Sequence, residues 1–235
     1  VNKVALDTAR LLGAAFLIVD VTSITSGIPL MSALGTGDVP DILSNAAANE
    51  GAIRVSVLLA LMNSAAIVAL ATLLYAVLAP HGRSLAIAGV GLWLGEAVFY
   101  AISWLGAAAL ISVGHDFVAA APADQAPYVT LGGFLYDGVY KLAGSMLMFF
   151  YCAGGFVFYY LFFASRVIPR WISGFGLVVV ALGSVGVLLE LLGYGTMMAL
   201  MIAILPFELL IGFWLLLRGA SESVGAGGPE RVPAG

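Results

Sequence analysis

A single cysteine, Cys152, and only two histidines, His81 and His115, limit the chemistry open to this chain of 235 residues. One thiol cannot close an intrachain disulfide, and no His-x-x-x-His or Glu-x-x-His spacing falls on a predicted helix, so neither a metal site nor a cofactor is expected. Charge is equally scarce. Asp, Glu, Lys and Arg make up 9% of the chain, against roughly 25% in soluble domains. No basic run is present, which leaves nothing for nucleic acid to dock on. Gly89-x-Gly91 lies in an apolar run with no strand before it and does not read as a nucleotide loop. No internal repeat is evident.

What the chain has in abundance is apolar surface: 62% hydrophobic residues and a mean hydropathy of +1.09. A bilayer core of roughly 30 Å is crossed by about 20 apolar residues at 1.5 Å rise each. The sequence contains six such runs, at 11–31, 55–78, 84–113, 131–163, 171–193 and 197–217. The expected fold is therefore all-α, a polytopic transmembrane helical bundle of six spans over 1–218 with the lipid bilayer as its main partner. A Gly, Ser, Glu and Pro rich tail at 219–235 reads as disordered. The first run follows Lys3 and Arg10, yet it is full-length and carries Asp20, so it reads as a span rather than a secretory leader.

The connections carry the topology. The loop at 32–54 is acidic, with a short surface helix expected near Ile42 to Glu50, and the loop at 114–130 has no Lys or Arg at all. With the N-terminus in the cytoplasm, Lys3, Arg10, Arg83, Arg166, Arg170, Arg218 and Arg231 lie inside and only Arg54 and Lys141 outside. That asymmetry implies cytoplasmic termini. The 131–163 run is too long for one perpendicular crossing, so it must tilt, extend past the bilayer or begin with an interfacial turn before Tyr140. Pro206 interrupts the last run, and Pro80-His81-Gly82-Arg83 reads as a short polar link between the second and third.

Phe149-Phe150, Gly154-Gly155, Tyr159-Tyr160-Leu161 and Ile168-Pro169-Arg170-Trp171-Ile172, with Gly174-Phe175-Gly176-Leu177 and Pro206-Phe207-Glu208-Leu209 to Phe213-Trp214-Leu215, resemble a bacterial family of multi-pass membrane proteins catalogued only as a domain of unknown function. Arg83-Ser84-Leu85 and Glu96-Ala97 match it more weakly, with Trp93 standing where that pattern has a polar residue. The resemblance implies a bacterial cytoplasmic (inner) membrane protein with a six-helix fold, and no mechanism.

Ionisable groups inside spans are the candidate site. Asp20, Glu96 and Glu208 each fall about 15–18 Å along their runs, near the midplane. Even a lenient insertion scale charges about 2.5–3.5 kcal/mol for an ionised carboxylate at that depth. Each must hold a proton, a hydrogen bond or water. Trp93, Glu96, Tyr100 and Ser103 recur on one helical face, while Gly91 and Gly95 form a small-xxx-small pair suited to close helix contact. Asp137 and Lys141, four apart with the acid first, make a helical ion pair at a span start beside Tyr136 and Tyr140. Glu190 and Asn63 are secondary candidates.

These features leave three functional classes. The first is proton-linked binding or transport of a small lipophilic ligand through the midspan carboxyls, in a hydrated cavity beside a broken helix. The second is a scaffold or complex subunit whose acids pair helix to helix without a cavity. The third is an intramembrane enzyme with a carboxyl general acid acting on a lipid or isoprenoid-like substrate, which requires two carboxyls converging on one apolar pocket. Oligomeric state is not legible in the sequence.

Overall fold

The computed structural model of the chain describes residues 3–195 and 197–219. The proposed disordered tail, apart from Gly219, lies outside the described residues, as does Arg231. The elements in order are α1 (Lys3–Leu34), α2 (Val39–Ala48), α3 (Glu50–Ala119), a 3₁₀ turn (Pro122–Asp124), α4 (Ala126–Gly133), a π-helical segment (Phe134–Lys141), α5 (Leu142–Ser165), α6 (Arg170–Leu191), α7 (Met197–Met201) and α8 (Ile204–Arg218). Outward faces carry Leu58, Met62, Leu105, Val178 and Leu217, each at least half exposed. Such a surface would be costly in water and is natural in hydrocarbon.

The expectation of six separate spans is corrected. Among the described residues, five helical stretches, not six, are long and apolar enough to cross a membrane: Thr8–Leu34, Glu50–Ala119, Ala126–Ser165, Arg170–Leu191 and Ala199–Arg218. The runs at 55–78 and 84–113 belong to one helix of 70 residues, in which only Gly82 departs from helical geometry. Pro80, His81 and Arg83 are absorbed into it rather than forming a loop. A straight helix of that length would measure about 105 Å. It is instead doubled back, because His115 Nε2 and Glu50 Oε2 lie 2.8 Å apart although 65 positions separate them. The bend brings residue 82 against α5, where an added Cβ would stand 2.8 Å from a Leu161 methyl.

Glycines let large rings settle onto helix backbones. A Cβ at Gly154 would stand 2.3 Å from the Trp93 ring, one at Gly89 2.8 Å from Phe158, one at Gly95 2.8 Å from Phe150 and one at Gly176 2.4 Å from Phe207. Gly91 meets nothing within 4 Å, so the expected Gly91/Gly95 contact pair is half right: Gly95 packs, and Gly89 rather than Gly91 is its companion. At the crossing of α1 and α8 the fit is backbone to backbone, with a Cβ at Gly13 placed 2.4 Å from the Leu216 nitrogen.

The expected surface helix is α2. Ile42, Leu43 and Ala46 are buried beneath it. The Asn45 and Asn49 side-chain amides donate to the Leu34 and Ala33 carbonyls, at 3.0 and 3.1 Å, closing α1's otherwise unsatisfied C-terminal turn. The long 131–163 run resolves as a helix from Ala126 to Ser165 with π geometry over Phe134–Lys141. The connection from α5 to α6 turns on Arg166, which is left-handed with φ of 59°. Val167 and Ile168 are buried within it. Pro169 caps α6, where its missing N–H costs nothing. The Arg170 guanidinium lies over the Phe163 ring, while Trp171 is 60% exposed and meets Trp214 edge-on.

Candidate functional site

A cavity of about 410 Å³ lies among α1, both limbs of α3, α5, α7 and α8. Three carboxyl groups reach it from three separate helices: Asp20 from α1, Glu96 from the second limb of α3 and Glu208 from α8, all buried. Asp20 and Glu208 are within side-chain hydrogen-bonding range of each other, and Glu96 is near enough to act on Glu208 through its charge. Two carboxyl groups hydrogen-bond only if one keeps its proton, because an ionised carboxylate has no donor. Among the described residues, no Lys, Arg or His lines the cavity. Asp20 Oδ2 and Glu96 Oε2 are buried without a donor among the described residues.

The walls come from sequence features of each helix. In α1, the Thr22 hydroxyl donates 2.6 Å to Asn63 Oδ1, and Ser26 Oγ lies 3.2 Å from the Tyr100 hydroxyl. These contacts lock α1 to both limbs of α3 around the cavity. In α5, the Tyr151 hydroxyl lies beside Glu208 with Tyr159 next to it, and neither hydroxyl closes a well-aligned hydrogen bond. The last apolar run breaks at Ile202–Ala203, between α7 and α8, rather than at Pro206 itself. The reason is local: Pro206 has no N–H and its ring opposes the carbonyl four residues earlier. The helix therefore restarts at Ile204, and Pro206 falls in the first turn, where no donor is needed. Met197, Met201, Ile204, Leu205 and Glu208 on the two sides of this break all line the cavity.

Of the residues singled out in the sequence, Asp20, Asn63, Glu96, Tyr100 and Glu208 come together here. Trp93 and Ser103 lie outside the lining. Trp93 stands behind it, stacked on Tyr151 with centroids 6.1 Å apart and donating to the Tyr151 carbonyl at 3.2 Å. Ser103 donates 2.8 Å to the Tyr140 carbonyl and so ties α3 to the π segment. Asp137 and Lys141 form their ion pair at 2.9 Å, more than half exposed, with the ammonium over the Tyr136 ring. Glu190 accepts from the Met197 N–H at 3.4 Å, at the start of α7. Sequence reasoning missed Tyr151, Met197 and Met201 as lining residues. Tyr151 carried a signal, a phenol in the middle of a span, but its neighbours in a run of aromatics look the same.

A doubled-back helix, four other spanning stretches and acids gathered at the centre define a polytopic membrane protein with a buried acidic cavity. The profile of DUF4386, a family described as a domain of unknown function, matches residues 11–219, and the chain belongs to that family. Comparison with curated proteins and with solved structures gives no match.

Proposed function

We propose that the protein binds a small lipophilic molecule in the cavity and couples its movement to a proton held on the Asp20, Glu96 and Glu208 carboxyls. The observation that carries this reading is the convergence of three acids from three helices on one cavity with no base in its lining among the described residues. A scaffold would tie up its acids by pairing each with a donor on another helix. Here one oxygen each of Asp20 and Glu96 is buried with no donor among the described residues. The broken α7–α8 helix in the wall supports the same reading, because interrupted helices give transporters exposed backbone groups and room to move at the site. A second reading, an intramembrane enzyme with a carboxyl general acid acting on a lipid or isoprenoid-like substrate, is favoured by one feature, the Asp20–Glu208 pair in apolar surroundings.

Infrared titration of the purified protein tests the proton. The protonated-carboxyl band present at neutral pH is expected to be lost or shifted in Glu208→Gln or Glu96→Gln. A band unchanged in both variants would sink the proposal. Mass spectrometry of co-purifying small molecules, with turnover assays on what is found, then separates transport from catalysis.

The same reading includes a bacterial cytoplasmic membrane location with both termini in the cytoplasm. Four single passes and a helix that returns to its starting side leave the two ends on one face, and the basic residues favour the inside for it. A cysteine introduced at Asp124 should label from outside intact cells and one at Ser221 only after permeabilisation. The reverse pattern overturns the orientation.

A further inference from the structure

The cavity's mouth and floor differ in chemistry, and together they specify an occupant. Ile28 and Met31 are 65% and 61% exposed, Ile24 and Leu205 are 37% and 38%, and all four line the cavity. α1 packs along α3 and α8 but has no extensive contact with α5 or α7. The cavity therefore opens sideways, between the later part of α1 and the α7–α8 break, through apolar residues that face lipid. Its floor is acidic. The titratable groups lining it are Asp20 from α1, Glu96 and Tyr100 from α3, Tyr151 from α5 with Tyr159 behind it, and Glu208 from α8, while among the described residues α7 brings Met197 and Met201 and the first limb of α3 brings Asn63 and Ile67. No group of three or more His, Cys, Asp or Glu among the described residues is arranged to hold a metal ion. The space between the carboxyls suits a larger organic head, and its volume is within the roughly 300–1,000 Å³ of small-molecule sites.

We infer that the occupant is an amphiphile with a protonated amine head, which enters sideways from the bilayer. Its ammonium sits among Asp20, Glu96 and Glu208, and its apolar chain leaves between Ile24, Ile28, Met31 and Leu205. This rests on the proposed function and narrows its ligand class. The charge argument is direct. Buried carboxylates demand a counter-charge, and the cavity's lining among the described residues supplies none. Asp20 Oδ2 and Glu96 Oε2 are buried with no donor among the described residues, so the protein leaves these carboxyls under-satisfied, and an ammonium's three N–H groups are the cationic donors that the described lining lacks. Binding is an exchange: the amine arrives already protonated and keeps its proton, a carboxyl releases its own to water, and the net charge of the site is unchanged.

The test uses the full-length protein in nanodiscs of zwitterionic lipid, with empty nanodiscs subtracted. The probes are dodecylamine, dodecanol and dodecanoate, which share a chain length and differ in the head. Dodecylamine is expected to bind most tightly and to release about one proton per molecule bound to an indicator in weakly buffered solution. Glu208→Gln and Asp20→Asn, checked for normal accumulation and thermal unfolding, should each weaken it by at least about tenfold, the worth of a hydrogen bond to a charged group, and suppress the proton. Ile28→Trp should slow association without altering the proton count. Dodecanol binding as tightly as the amine, with no proton released, overturns the amine head while leaving a lipophile-binding cavity intact. Binding of none of the three overturns the functional reading as well. An unchanged association rate in Ile28→Trp overturns sideways entry.

Discussion

The chain handles acidic groups in two different ways, depending on where they sit. Away from the cavity, each of two acids is paired with a base at hydrogen-bond distance: Asp137 with Lys141 at 2.9 Å, and Glu50 with Arg54 at 2.6 Å and His115 at 2.8 Å, all on exposed side chains. In the cavity, three acids are buried and, among the described residues, no base lines the space they share. The costs run opposite to the provision. An exposed carboxylate is solvated without a partner and gains little from one, whereas a buried one without a counter-charge is among the most expensive groups a protein can carry. Expensive and unpaired groups persist where something else satisfies them. The difference sets the surface ion pairs apart from the cavity, where we propose that a proton or a ligand completes the charge balance.

The largest expected effect comes from forcing apart the helices that hold the Asp20–Glu208 pair. Gly13→Val drives a branched side chain into the α8 backbone, where even one added Cβ would stand 2.4 Å from the Leu216 nitrogen. Overpacking of this kind costs about 1–3 kcal/mol or more, and here neither backbone can yield alone. Accumulation of folded protein, followed by size-exclusion chromatography in detergent, should fall severely. The corresponding change at Gly91, which meets nothing within 4 Å, should be tolerated.

Reversing one charge at the α5–α6 connection comes next. Arg170→Glu removes the cation stacked on Phe163 and places an acid on the face proposed above to be cytoplasmic. Membrane insertion should drop several-fold in a fractionation assay, with ligand affinity unchanged in whatever protein does insert. Normal insertion with lost binding would move Arg170 into the site and break the comparison between anchor and cavity.

The smallest effects should fall on the exposed pair. Asp137→Asn leaves Lys141 in solvent and its ammonium over Tyr136, so the thermal midpoint should move by no more than the roughly 0.2–1 kcal/mol of an exposed ion pair. High salt should mimic it. Within the cavity, Glu96→Gln should instead abolish any pH dependence of binding that Asp137→Asn leaves in place. Equal responses of the two variants would erase the distinction between the regions.

Much of this arrangement was legible in the sequence. Asp20, Glu96 and Glu208 stand out because acids are rare in apolar runs and each can be placed in depth by counting residues. The Asp137–Lys141 pair follows from its spacing alone. Other features were not legible. The 3.6-residue period puts Trp93, Glu96, Tyr100 and Ser103 on one face, but that face is wide enough for Trp93 to pack against Gly154, Ser103 to reach the π segment and only Glu96 and Tyr100 to line the cavity. Pro80-His81-Gly82-Arg83 looked like a loop because Pro and Gly usually end helices. One non-helical residue sufficed, since a reversal within an apolar bundle keeps its backbone hydrogen bonds up to the turn.

By itself the sequence determined that this chain is helical and lives in a bilayer. With no water to satisfy backbone N–H and C=O groups, an apolar run of 20 residues or more has no other way to cross. It also determined which groups need a partner, since depth can be counted along each run and a carboxylate deep in hydrocarbon is costly until a proton, a hydrogen bond or a counter-charge meets it. Tertiary structure alone decided that Asp20, Glu96 and Glu208 share one cavity and that two of the expected spans are a single doubled-back helix. Apolar runs facing lipid carry almost no directional signal, because Leu against a lipid tail and Leu against another helix are nearly equal in energy. Which face turns inward is therefore settled by glycine-and-ring fit and by a few hydroxyl contacts, and these exist only once the helices have met.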